Sequence, residues 1–197
     1  MQSIQIGHNT LSFDDAGEGP VLFCVHGGAP GAFGWGNFGR NMESLSEQFR
    51  VIVVDLPGYG LSDKPKIEGG RQVHYSRIFR QMFVELGVDK VHVCGIATGA
   101  NTALRMALDH GDFIDRVILV SGGGPVTLFP RDDSATSRLI TDYYADPGPS
   151  REKMRAYLGS CLYDKSLITD ELIDERYNES IVPEFMVQAP EGRPGIR

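Results

Sequence analysis

A chain of 197 residues with 41% hydrophobic content can bury a core, and its length suits one domain or one domain with a large insertion. A formal net charge of -7 and a pI near 5.2, with no cluster of Lys and Arg, exclude nucleic acid as an expected partner. Three widely spaced cysteines in apolar surroundings, Cys24, Cys94 and Cys161, predict buried free thiols in a reducing compartment and not a disulfide framework.

The opening "MQSIQIGHNTLSFDD" has no basic region followed by an apolar run, and no segment is long enough to span a bilayer. A soluble cytoplasmic protein without membrane contact is expected. Residues Ser3 to Asp14 alternate weakly around "IGHN" and predict an antiparallel hairpin at a sheet edge. Val21 to Val25 (VLFCV) follows, then the glycine-rich loop "HGGAPGAFGWGNF" from His26 to Phe38. Next come Val51 to Val54 (VIVV) and the turn "DLPGYGLSDKP" from Asp55 to Pro65. A helix is predicted over Arg71 to Gly87, with Val73, Ile78, Met82, Phe83 and Leu86 on one apolar face and Gly87 as its stop. Val91 to Cys94 (VHVC) leads into a second helix from Thr98 to about Asp109, with Leu104, Ala107 and Leu108 facing inward, and Val117 to Val120 (VILV) closes the series.

Unbroken apolar runs of this kind suit strands buried on both faces, and their alternation with helices implies βαβ units in a parallel sheet. After Ser121 the character changes. "GGGPVTLFPRDDSATS" reads as a loop, and from Ser137 to Met186 the pattern is helical, with Ser150 and Thr169 as N-caps. The expected organisation is a core of six strands over 1–124, a helical cap over 125–190 and a flexible tail over 191–197.

The stretch "VCGIATGAN" carries the chemistry. A strand, a tight Gly-x-x-x-Gly turn and a helix form the setting of a nucleophile elbow, in which flanking glycines let helix and strand approach closely. Gly95 and Gly99 supply that room, position 97 is the nucleophile position, and Ala97 has no group to attack with. The loop after Val25 is of the kind that donates a second oxyanion-hole N–H, so Gly28 and Thr98 are the expected donors. Thr98 sits one residue past the corner, and Cys94 in its strand reads as a small buried hydrophobe, so neither replaces the missing hydroxyl. His26 reads as a structural ring that holds the glycine turn, and Asp55 and Asp63 as turn-stabilising groups. His8, His74, His92 and His110 lack Cys, Asp or Glu at ligand spacing, so no metal is expected.

The runs "HGGAPGAFGWGNFGRN", "DLPGYGLSDKP" and "YDKSLITDELIDERY" closely resemble the meta-cleavage product hydrolases, over roughly residues 20 to 186. These are serine-dependent α/β-hydrolases that cut a carbon–carbon bond in the dienol diketones left by ring opening of aromatic or steroid compounds. The resemblance implies an α/β-hydrolase fold with a mostly parallel sheet and a helical cap, apparently lacking the last core strands. It implies no cofactor and a small-molecule substrate. It also implies that Asn37 and Arg176 hold the substrate's carboxylate and oxo-dienoate end, while Gly27, Gly28 and Thr98 line the oxyanion side. Without the resemblance, Arg176 reads as a helix-surface arginine paired with Glu175 or Asp174. Trp35, Phe33, Phe129, Tyr143 and Tyr144 read either as pocket lining or as plain core.

Three departures stand out. Ile96 occupies the place where the family has Asn, Ala97 replaces the serine, and the sequence ends before the family's Asp and His. Ala97 fits an engineered substitution, a naturally inactive hydrolase, or a turn that was never catalytic. The expected function is that of a carbon–carbon bond hydrolase with its nucleophile position held by Ala97. The alternatives are a carboxylic ester or lactone hydrolase and a non-catalytic ligand-binding homologue. An apolar parallel strand at Val117 to Val120 should not stand as an open edge. The natural chain is therefore expected to continue past Arg197, or a dimer partner or other second chain to complete the sheet.

Overall fold

The computed structural model describes residues 1–122 and 134–183. They divide into two compact units, Met1–Gly28 with residues 33–122, and Ala29–Ala32 with residues 134–183.

The first unit is built on one six-stranded sheet. Its strands are β1 (Gln2–Ile6), β2 (Asn9–Ala16), β3 (Val21–Val25), β4 (Arg50–Val54), β5 (Val91–Ile96) and β6 (Ile114–Val120), in the order β1-β2-β4-β3-β5-β6. β1 and β2 form the expected antiparallel hairpin, with Ile6 opposite Asn9, and β2 runs antiparallel to β4. β4, β3, β5 and β6 are parallel to their neighbours. In β3 and β4 the apolar runs are continuous because both faces are covered. Leu22, Cys24, Val51 and Val53 pack with Phe38 and Met42 of α1 (Gly34–Ser46). Phe23 points the other way, where its ring meets Phe79 and Phe83 of α2 (Arg71–Glu85) edge-on at 5.0 and 4.8 Å. α2 ends as the sequence predicts. The N–H of Gly87 donates to the Val84 carbonyl and that of Val88 to the Phe83 carbonyl, with Gly87 at φ 64.

Several local expectations fail for identifiable reasons. The glycine-rich stretch is helical from Gly34 onward, because the Gly34 N–H is capped at 2.7 Å by the carboxylate of Asp55, 21 residues away. Val73 is 47% exposed, since the buried face of α2 is set by Tyr75, Ile78, Phe79, Met82 and Phe83. In α3 (Thr98–Asp109) Leu108 is 72% exposed and Leu104 and Ala107 are half-buried, while Ala100, Thr102, Ala103 and Met106 face the core. That helix starts in close contact with the sheet, so its small residues, and not its leucines, must face inward. β6 is the last strand of the sheet among the described residues, and Ile118, Leu119 and Val120 stay 50%, 39% and 42% exposed.

The second unit contains α4 (Ala135–Asp142), α5 (Arg151–Cys161), a short 3-10 turn (Lys165–Leu167) and α6 (Asp170–Ser180). Ser150 and Thr169 cap α5 and α6, each hydroxyl accepting the N–H three residues on at 3.2 Å. Tyr143, Met154, Tyr157, Leu158 and Ile173 form the core of this unit. Tyr143 is therefore core, with its hydroxyl 2.7 Å from Ser180 Oγ. All three cysteines are free, but Cys161 is exposed at the end of α5, contrary to the expected burial. α6 ends at Ser180, and residues 184–186 of the expected helical stretch, Phe129 and the tail over 191–197 lie outside the described residues.

Candidate active site

Because β3, β4, β5 and β6 are parallel, the residues that follow each of them emerge at one edge of the sheet. The chain lays β4 on one side of β3 and then crosses back to lay β5 on the other. At such a switch point the two loops diverge and open a crevice beyond the strand ends, where open α/β sheets bind ligands. The loops at this switch are His26–Gly28 and Ala97–Thr98.

Ala97 occupies a sharp corner. Its φ of 50° and ψ of -106° lie outside the regions favoured by residues with a Cβ, a strain of about 1–3 kcal/mol. The surrounding packing holds it there. A Cβ on Gly95 would stand 2.5 Å from the Ala100 nitrogen, and one on Gly99 would stand 2.7 Å from the His26 carbonyl oxygen. The Ala97 N–H donates to the Val120 carbonyl at 2.9 Å, which ties the corner to β6. Ala97 itself is exposed, so its methyl group takes no part in the core.

The first N–H groups of a helix have no intrahelical acceptor, and they form the positive end of its dipole. In α3 no side chain caps them, because the N-cap residue is Ala97. The N–H of Thr98 therefore stands next to the corner without an acceptor among the described residues. Gly28 lies against it. A Cβ there would fall 2.6 Å from Thr98 Oγ1 and 3.0 Å from the Tyr59 hydroxyl.

The loop after β3 is braced from several sides. His26 is fully buried. Its Nδ1 lies 2.6 Å from the Gly27 carbonyl oxygen, and its Nε2 accepts the Leu56 N–H at 2.9 Å. The structural reading of His26 therefore stands. Asn37 Oδ1 accepts the Gly27 N–H at 3.1 Å, and an added Cβ on Gly27 would be 3.6 Å from the Ile96 oxygen and 3.7 Å from the Ala97 methyl. Gly27, Asn37, Ile96 and Ala97 are thus neighbours. Tyr59 donates to the Gly28 carbonyl at 3.1 Å and packs edge-on against His26 at 5.2 Å. Asp55 accepts the N–H groups of Gly34 and Leu61 at 2.7 and 3.0 Å, while Asp63 accepts that of Thr10 at 2.7 Å. Burial pushes the Asp55 carboxyl up, against the two N–H bonds that favour its charged form.

Sequence reasoning missed Tyr59. Its signal was an aromatic between two glycines of "PGYGLSD", but its partner, Gly28, lies 31 residues away.

Arg176 of α6, in the second unit, is 5% exposed, so it is not a helix-surface residue. Asp174 pairs with Arg151 instead. The Nε of Arg176 has no hydrogen-bond partner among the described residues, and burial pushes its guanidinium down while Tyr157 acts against that. Phe33 is half-buried and Trp35 is 47% exposed.

The corner thus offers an uncapped helix N-terminus and a braced glycine loop, but no nucleophile. Burial pushes the Cys94 thiol up, which removes it as a candidate. Among the described residues no group of three or more His, Cys, Asp or Glu is placed to hold a metal, and no helix is long and apolar enough to cross a membrane.

Residues 20–157 match the model of the alpha/beta hydrolase fold family. The chain is 36% identical over 169 residues to the 2-hydroxy-6-oxo-6-phenylhexa-2,4-dienoate hydrolase of Burkholderia cepacia, covering 85% of this chain and 58% of that protein. It is 35% identical to the 2-hydroxy-6-oxononadienedioate/2-hydroxy-6-oxononatrienedioate hydrolase of Comamonas testosteroni, again with 85% and 58% covered. The chain thus spans somewhat under three fifths of the length of these curated relatives. Among solved structures, a variant of the meta-cleavage product hydrolase CumD superposes with a TM-score of 0.84 at 31% identity, covering 98% of this chain and 69% of that one. A serine-to-alanine variant of CumD from Pseudomonas fluorescens IP01 gives 0.85 at 29%, covering 98% and 70%. With the elbow, the braced glycine loop and the 1-2-4-3-5-6 sheet, these likenesses show that the chain belongs to the meta-cleavage product hydrolases of the α/β-hydrolase fold.

Proposed function

We propose that the protein is a carbon–carbon bond hydrolase of 2-hydroxy-6-oxo-dienoate ring-fission products, in a form whose nucleophile position is held by Ala97. The observation that carries this reading is the strained corner at Ala97, enclosed by Gly95 and Gly99 and adjoining the uncapped N–H of Thr98. With serine at 97 and the family's downstream histidine to take its proton, the hydroxyl oxygen would add to the 6-oxo carbon of the ketonised substrate. The oxyanion so formed would be stabilised by the N–H groups of Gly28 and Thr98. Collapse breaks the carbon–carbon bond and releases a hydroxydienoate, and water then hydrolyses the acyl-serine to a carboxylic acid. Asn37 and Arg176 are the residues proposed to hold the substrate's polar end, Arg176 by a paired hydrogen bond to the carboxylate, with Gly27 and Ile96 beside the reacting carbonyl. The free thiols support a reducing, cytoplasmic setting, and the exposed apolar edge of β6 supports a further strand from the same or a second chain.

Ala97→Ser tests the reading. The Ala97 protein should bind 2-hydroxy-6-oxo-6-phenylhexa-2,4-dienoate saturably without consuming it, and the serine variant, in a chain that also carries the family's Asp and His, should bleach its absorbance with release of benzoate. Hydrolysis of simple esters alone would favour an ester or lactone hydrolase, which Ile96 supports by removing a polar contact. Saturable binding without turnover in both forms would favour a non-catalytic ligand-binding protein, the reading that Ala97 taken as native supports.

A further inference from the structure

At the sheet edge opposite β6, a cleft of about 290 Å³ opens between the β1–β2 turn and α2. Its lining is chemically one-sided. His8, Asn9, His74, Arg77 and Gln81 all present side chains able to donate hydrogen bonds, and no carboxylate joins them, although the chain carries a formal charge of -7. None of these five side chains makes a hydrogen bond or ion pair with the described residues. The Nε2 of His74 is buried with no hydrogen-bond partner among the described residues, so it is the rest of the ring that can face the cleft. Burial, then the charge of Arg77, push the His74 imidazole down, and Arg77 brings a positive charge to the cleft.

We propose that this cleft binds a small monocarboxylate, its oxygens held by Arg77 and His74 and its apolar body resting on Ile6 and Ile78. The guanidinium fork matches a planar carboxylate in two parallel hydrogen bonds, an arrangement that spherical or tetrahedral anions reproduce less well. Ile6 and Ile78 are both 4% exposed and give the cleft an apolar floor. Its volume lies at the lower end for ligand sites, which limits the occupant to something near benzoate in size. Two imidazoles without a carboxylate or thiol do not make a metal site. The site is independent of the elbow and of any activity there.

The test is a titration of the protein with sodium benzoate at constant ionic strength, followed by NMR of the backbone amides and histidine rings. Saturable shifts centred on His8, His74 and Arg77, weakened at least tenfold in Arg77→Gln and absent with uncharged methyl benzoate, are expected. Arg77 is exposed and makes no ion pair with the described residues, so the glutamine variant should keep the wild-type unfolding midpoint. His74→Phe should weaken binding as well, and if that variant does not fold, Arg77→Gln decides alone. Shifts that fail to saturate, that sulfate reproduces at equal concentration, or that persist in Arg77→Gln overturn the proposal.

Discussion

Gly99 of α3 lies against the carbonyl oxygen of Val25 at the end of β3, with no space for a side chain between them. A methyl group there must push helix and strand apart at the base of the corner. Gly99→Ala should therefore cost about 2–3 kcal/mol in chemical denaturation. Gly159, inside α5 with open space at its Cβ position, provides the contrast. Alanine there should add up to about 1 kcal/mol. Equal effects at the two sites would refute the close approach.

The strain at Ala97 has a measurable sign. Glycine adopts a positive φ without penalty but gives the unfolded chain more freedom, worth about 0.4–1 kcal/mol against it. Relief of about 1–3 kcal/mol outweighs that term. Ala97→Gly should stabilise the protein by roughly 1 kcal/mol, read as a higher denaturation midpoint, whereas a lower midpoint would mean the corner is relaxed.

Asp55 yields a pH signature. Burial raises its carboxyl in the folded state despite its bonds from Gly34 and Leu61, so the folded protein holds that proton more tightly than the unfolded chain does. Its contribution to stability is then greatest below the ordinary value near 3.9, falls as pH rises through the folded-state value, and is flat above it. Asp55→Asn places an amide N–H₂ against one of the N–H donors and should cost about 1–3 kcal/mol at neutral pH. Because the wild-type protein loses stability across that range and the variant does not, the cost should shrink as pH rises above 4. A cost that grows instead would show that the fold favours the carboxylate.

Arg176 should separate stability from binding. A buried guanidinium with an unpartnered Nε is expensive to desolvate, and methionine fills similar volume without that cost. Arg176→Met should raise stability by about 1 kcal/mol while weakening dienoate binding at least tenfold. Strong destabilisation would make Arg176 a structural residue.

What the sequence disclosed followed from local physics. Unbroken β-branched runs marked the parallel strands, hydroxyls at 150 and 169 marked helices of the second unit, and the spacing of Gly95 and Gly99 marked the corner. What it concealed depended on distant partners. The start of α1 is set by Asp55, the glycine loop after β3 is braced by Tyr59, and the inward face of α3 is chosen by how closely Gly99 approaches β3. The burial of Arg176 was not legible, because the charge pattern of "DELIDERYNES" favours a solvated helix face.

The common direction of β3 to β6 divides the first unit into two ends that should tolerate change differently. Randomising the exposed or half-buried positions 61 and 96–98 should alter what the molecule recognises with modest effects on folding, whereas His26, Leu56 and Tyr59 are buried and belong to the fold. Altering the opposite rim, where Phe49 and Phe113 precede their strands, should change folding and leave recognition intact. A mutational library restricted to the first rim is thus the economical route to new specificity in this scaffold.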